Sequence, residues 1–225
     1  LIMLRLRMLI ALICSGNLIH GAELGEIVCR RASETIKIDG QAGEAAWKDA
    51  EVIDGFYHPA VTPPELGKTK TKARLLWDDE ALYFFAEMED ADLYADVVEQ
   101  DGQTWDNDVF ELFFKPDPQR PSYYEFQVTP RNTHFDTYIV SRTAGGGVRR
   151  WKSAHEFTWE TKAALIGTLN DETDRDKGWF VEGKIPWTDF RHTGGKPKAG
   201  NVWRFALCRY DYSLDFETPD LTSTA

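Results

Sequence analysis

The run Thr104-Trp105-Asp106-Asn107-Asp108-Val109-Phe110-Glu111-Leu112-Phe113-Phe114 sets three acids, an amide and an indole directly against a block of core hydrophobes. Strand alternation sends Phe110, Leu112 and Phe114 to one face and Val109, Glu111 and Phe113 to the other, which leaves Glu111 a carboxylate among apolar neighbours. Two chemistries account for such an acid. Either an Arg or backbone partner satisfies it inside the fold, or a ligand's hydroxyls do, with Trp105 beside it as a flat apolar surface for stacking. Asp106, Asp108 and Glu111 are also the residue types of glycoside hydrolysis. That reaction needs an acid and a base or nucleophile on two sides of a scissile bond, and one strand furnishes only one side.

The elements that position this run read mostly as short alternating strands. Thr35 to Gly40 is expected as a strand ending in a turn, and Gly43 to Ala50 as a turn or two of helix with Trp47 inward. Thr71 to Trp77 and Leu82 to Asp90 form a hairpin around Asp78-Asp79-Glu80. Tyr123 to Thr129 returns after a Pro-rich turn, placing Gln127 near Glu111 if the two strands pair. Strands follow at Phe135 to Val140, Thr161 to Leu169, Gly178 to Pro186 and Val202 to Tyr210, with a helical turn from Trp187. Many strands, turn signals between them and hardly any helix predict an all-β antiparallel sandwich, immunoglobulin-like or jelly-roll-like, with one or two helical turns. On these strands and the helix face Trp47, Trp77, Trp179 and Trp203 read as core; Trp105, at a loop edge, stands apart.

The front of the chain reads as an export leader. Arg5 and Arg7 precede an apolar run from Met8 to Cys14 that is too short to span a bilayer; cleavage is expected after Gly16 or near Ala22, and the latter cut leaves residues 23–225 as a single domain. The expectation is a secreted or periplasmic product with no membrane attachment in its mature form. A net charge of -11 and a pI near 4.9 argue against nucleic acid or anionic membrane as partners. Cys29 and Cys208 remain after the leader; pairing is left open, and with no C-x-x-C spacing they make no redox or metal motif. Asp78, Asp79, Asp90, Asp106 and Asp108 are hard oxygen donors of the kind calcium takes. No twelve-residue calcium loop is present, turn formation explains most of them, and Asp90 and Asp106 stay as the metal candidates.

Taken in order, Ile38-Asp39-Gly40 with Trp47, Leu76-Trp77-Asp78-Asp79-Glu80-Ala81-Leu82-Tyr83-Phe84, the Trp105 to Phe113 run, Tyr124-Glu125-Phe126, Gly178-Trp179 and Ile185-Pro186-Trp187 resemble a family 9 carbohydrate-binding module, in the wider DOMON-like superfamily. The resemblance spans essentially the whole chain after the leader. It implies a β-sandwich that binds glucan, xylan or similar saccharides, with bound calcium and no chemistry of its own, commonly attached to a secreted glycoside hydrolase. Trp105 matches one of two tryptophans that clamp a sugar, and Glu111 an acid that hydrogen-bonds its hydroxyls. Gln127 falls where the family has a sugar-binding Arg, a departure. The second clamping aromatic belongs near the end of the family pattern, and no aromatic follows Phe216 here. Relatives in the superfamily bind haem, for which Met88, His134 or His155 are the conceivable axial ligands; no C-x-x-C-H occurs, and strand alternation places Met88 in the core.

Overall fold

The computed structural model describes residues 3–8, 25–59, 61–141 and 157–224, the first of these stretches as backbone only. The strands are β1 (Met3–Met8), β2 (Glu26–Arg31), β3 (Thr71–Trp77), β4 (Ala81–Glu89), β5 (Val109–Lys115), β6 (Tyr123–Val128), β7 (His134–Ile139), β8 (Glu160–Ile166), β9 (Gly178–Pro186), β10 (Val202–Asp211) and β11 (Asp220–Ser223). They pair in the order β7-β6-β5-β10-β1-β2-β3-β4-β9-β8, with β11 also on β10. Neighbours within each half, β7-β6-β5-β10-β11 and β3-β4-β9-β8, are antiparallel; β1 on β10 and β2 on β3 are parallel.

Alternation explains why the halves close on each other. Phe110, Leu112 and Phe114 from β5, Phe126 from β6 and Phe205 and Leu207 from β10 share one core with Leu75, Phe84, Ala86, Val181 and Ile185. Burying two apolar sheet faces together is the stable solution for strands of this pattern, so the expected sandwich is what forms. Trp47, Trp77, Trp179 and Trp203 are all buried, as their alternation predicts. Met3–Met8 falls inside the stretch expected as a leader, and here it is paired with both β2 and β10.

The second half carries a cap on its outer side. Ile36, Trp47 on the short helix α1 (Ala46–Asp49), Tyr83 and Phe85 form a separate apolar cluster. Its anchor is Glu182 of β9, buried, which accepts the Asp39 and Gly40 amides (2.9 and 3.1 Å) and the Trp47 indole N–H (3.0 Å). This corrects the expected strand at Thr35 to Gly40, which is extended chain outside any ladder. A side-chain acceptor takes the amides that a neighbouring strand would have taken. Gly40 has φ +84, and a Cβ there would sit 3.1 Å from the Lys162 carbonyl, so glycine is required. The β3–β4 turn is similarly built on Asp78, whose carboxylate accepts the Glu80 and Ala81 amides and the Tyr83 hydroxyl.

The two cysteines are free and sit on different faces. Cys29 belongs to the shared core, whereas Cys208 pairs in register with Glu111 on the outer face of β10. No helix among the described residues is long and apolar enough to cross a membrane.

Candidate functional site

The side chains of interest lie on the outer face of the β10-β5-β6-β7 half. One register row reads Cys208, Glu111, Gln127, Phe135, and the next Ala206, Phe113, Glu125, Thr137. The pairing expected of Gln127 with Glu111 is therefore direct. Cα positions two strands apart, such as Glu111 and Phe135, are separated by about 10 Å.

Trp105 enters this face from the single 3-10 turn Thr104–Asp106 that leads into β5. Its indole is half-buried and meets Phe135 at right angles, ring centroids 5.3 Å apart. Asn107 and Asp108 hold the turn in place rather than facing a ligand. Asn107 accepts the Val97 amide and donates to Asp96, while Asp108 accepts the amides of Tyr94 (2.6 Å) and Tyr212 (2.7 Å). Buried Thr104 donates to the Gln127 amide oxygen (2.5 Å), and the Gln127 nitrogen donates to Glu125 (2.6 Å). Gln127 is thus engaged at both ends within the protein, and its amide serves to orient Glu125.

Glu111 is 3% exposed, and its carboxyl group has no hydrogen-bond partner among the described residues. Burial, with the charge of Glu125 second, pushes its pKa well above the usual carboxylate range. Of the two explanations the sequence offered for this acid, the internal Arg is not realised. The Thr137 hydroxyl, one row away, is likewise buried without a partner. Tyr210 lies on the same face, half-buried, its phenol pKa raised first by desolvation and then by Glu111. Tyr210 and Tyr212 were not identified from sequence as site residues. Continuing the β10 alternation past Cys208 would have placed Tyr210 outward.

Behind this face lies a group of three buried carboxylates. Asp90, Asp108 and Asp211 bring one oxygen each within 4.8 Å of one another. Arg209, also buried, donates to Asp90 (3.0 Å) and Asp211 (2.9 Å). Desolvation and then Asp211, opposed by Arg209, push Asp90 up to about 7, and desolvation and then Asp90 raise Asp108. Asp90 is where the sequence reading put a metal ligand. Asp106 is exposed and lies outside the group, and its place is taken by Asp108. The three carboxylates are hard oxygen donors of the kind calcium takes, and each of their oxygens also accepts a hydrogen bond from the protein.

The competing chemistries find less support. Asp106 faces solvent, Asp108 the buried cluster and Glu111 the opposite side of the sheet, so the three acids do not converge on a scissile bond. Met88 is core, and the His134 ring lies 4.3 Å from Trp159 with its Nε2 bonded to Thr161. His155 lies outside the described residues.

A two-layer sandwich that carries an aromatic and a buried acid side by side on one outer face is the architecture of a β-sandwich binding module. The profile of the carbohydrate family 9 binding domain-like family matches residues 38–219, and the chain belongs to that family of carbohydrate-binding modules. It is 28% identical over 170 residues to the endo-1,4-beta-xylanase A of Thermotoga maritima, covering 75% of this chain and 14% of the xylanase, so it spans far less than two thirds of that relative. Among solved structures it is similar to a family 9 carbohydrate binding module of Caldicellulosiruptor kristjanssonii, in complex with cellotriose (21% identity, TM-score 0.53, 86% of this chain and 82% of that one) and with glucose (TM-score 0.55, 86% and 83%). A protein from Bacteroides uniformis described as carbohydrate-binding has TM-score 0.67 at 14% identity, covering 87% of each chain. At these identities the structures establish the shared fold.

Proposed function

We propose that this module binds neutral glucan- or xylan-type saccharide on the outer face of β10-β5-β6, with Trp105 stacking on a pyranose ring and Glu111 bonding its hydroxyls. The observation that carries the reading is the Glu111 carboxyl: the residue is 3% exposed, no protein hydrogen bond to it is formed among the described residues, and its oxygens are not fully sealed, so ligand hydroxyls can supply the bonds. Tyr210, half-buried on the same face of β10 as Cys208, is the aromatic we assign as a second platform. Calcium, held by Asp90, Asp108 and Asp211, would neutralise the charge behind the site. The module is exported and works beside a glycoside hydrolase, as the xylanase relative suggests. Leader removal would take β1 out of the sheet, which mass spectrometry of the exported protein's N-terminus tests directly.

The functional test is retention on insoluble cellulose and xylan, comparing wild type with Trp105→Ala and Glu111→Gln. Loss of retention in both variants, with no fall in melting temperature, is the expected result. Full retention by Trp105→Ala would move the site elsewhere.

A further inference from the structure

We infer that Tyr212 is a positioning residue that sets the height and tilt of the Trp105 platform; this rests on the saccharide site proposed above and names the device that pre-organises it. Tyr212 is fixed at three points. Its backbone N–H donates to Asp108 (2.7 Å), its ring lies against Tyr94 (centroids 6.4 Å apart), and its hydroxyl donates to the Trp105 carbonyl (2.7 Å). Asp108 in turn accepts the Tyr94 amide through its other oxygen, and its own N–H donates to the Tyr94 carbonyl. The buried carboxylate is therefore a fixed post, and Tyr212 is the arm from it to the backbone of the platform residue.

Thr104, Asn107 and Asp108 anchor the two ends of the turn, and Tyr212 is the side chain that bonds the backbone of Trp105 itself. The turn is one 3-10 turn without a side-chain cap, flanked by exposed Gln103 and Asp106. The indole is held on its ring side by Phe135 and on its backbone side by Tyr212. Releasing one hold lets the ring sample orientations that must be frozen again on binding, a cost paid in affinity. The reach of Tyr212 is specific to the hydroxyl: phenylalanine keeps the ring on Tyr94 and the amide on Asp108 and gives up only the bond to Trp105.

The test uses Tyr212→Phe, Trp105→Ala and the double variant, with calorimetric titration of cellotriose and iodide quenching of tryptophan fluorescence. Tyr212→Phe should weaken cellotriose binding by about three- to tenfold, the cost of re-ordering one side chain, with a melting temperature close to wild type. It should also raise the iodide-accessible fraction of emission. In the Trp105→Ala background the same substitution should leave quenching unchanged, which a general loosening of the fold would not. Wild-type affinity and quenching in Tyr212→Phe, with binding lost in Trp105→Ala, would overturn the positioning role and leave the site standing. Undiminished binding by Trp105→Ala would overturn both.

Discussion

Replacing Glu111 with methionine is expected to stabilise the protein while destroying its binding, because the acid is kept at a cost to the fold. The residue is 3% exposed and its carboxyl takes no hydrogen bond among the described residues, and a polar group fully in that condition costs at most about 1–3 kcal/mol. Methionine fills the same length without a group to solvate. For a chain of this size that corresponds to a rise of roughly 3–10 °C in melting temperature. The gain must depend on pH in one direction. Burial and then Glu125 raise the Glu111 pKa in the folded protein, so the folded state holds the proton more tightly than the unfolded chain. Below about pH 4 both states are protonated and only the cost of the buried neutral carboxyl remains; above it an ionisation penalty is added that grows by about 1.4 kcal/mol per pH unit until the folded pKa is passed. Urea melts of wild type and Glu111→Met at pH 4 and pH 7.5 measure this. The advantage of the variant should be larger at pH 7.5 than at pH 4. A variant less stable at pH 7.5, or a difference that does not change with pH, would refute the reasoning.

Three further outcomes follow from other buried groups. Asp90 titrates near 7 in the fold, above its unfolded value, so without a cation stability should fall as pH rises from about 4 through 7; calcium should reverse this, chelator should lower the melting temperature more at pH 8 than at pH 5, and Asp211→Asn should abolish the difference. His134 shows the opposite sign: burial lowers its pKa to about 4, so its contribution is lost as pH falls from about 6.5 to 4, roughly 2 kcal/mol after allowance for partial exposure. In His134→Phe that part of the acid sensitivity should disappear from a pH series of denaturant melts. Glu182→Ala leaves the Asp39 and Gly40 amides and the Trp47 indole without their acceptor and should cost about 3 kcal/mol in the same assay.

Much of this was legible where local pattern and tertiary packing agree. The alternation of Phe110, Leu112 and Phe114 against Glu111 gave the faces of β5, and the register of Gln127 followed from the hairpin. Cys29 is the one fully buried residue of β2, whose Glu26 and Arg31 ends are exposed, so its periodicity is too weak to read. Thr35 to Gly40 has strand composition, yet its amides are taken by Glu182, more than a hundred residues away in sequence. The metal candidates show the same limit. Asp106 and Asp108 are equivalent as residue types, and only the arrival of Asp211 and Arg209 on β10 separates the exposed acid from the buried one. A buried arginine such as Arg209 is invisible to hydrophobic periodicity, because its charge reads as a solvated position.

The central claim is that Trp105 and Glu111 together hold a saccharide on the outer face of the sheet. The most direct measurement is a titration of cellotriose, and in parallel xylotriose, into 15N-labelled protein, following the indole N–H of Trp105 and the amides of residues 104–113, 125–127 and 208–212. The account predicts saturable shifts concentrated at Trp105, Glu111 and Tyr210, absent in Glu111→Met. Shifts clustered on the Trp47 side of the sandwich, or saturable binding that leaves Trp105 and Glu111 unmoved, would contradict it.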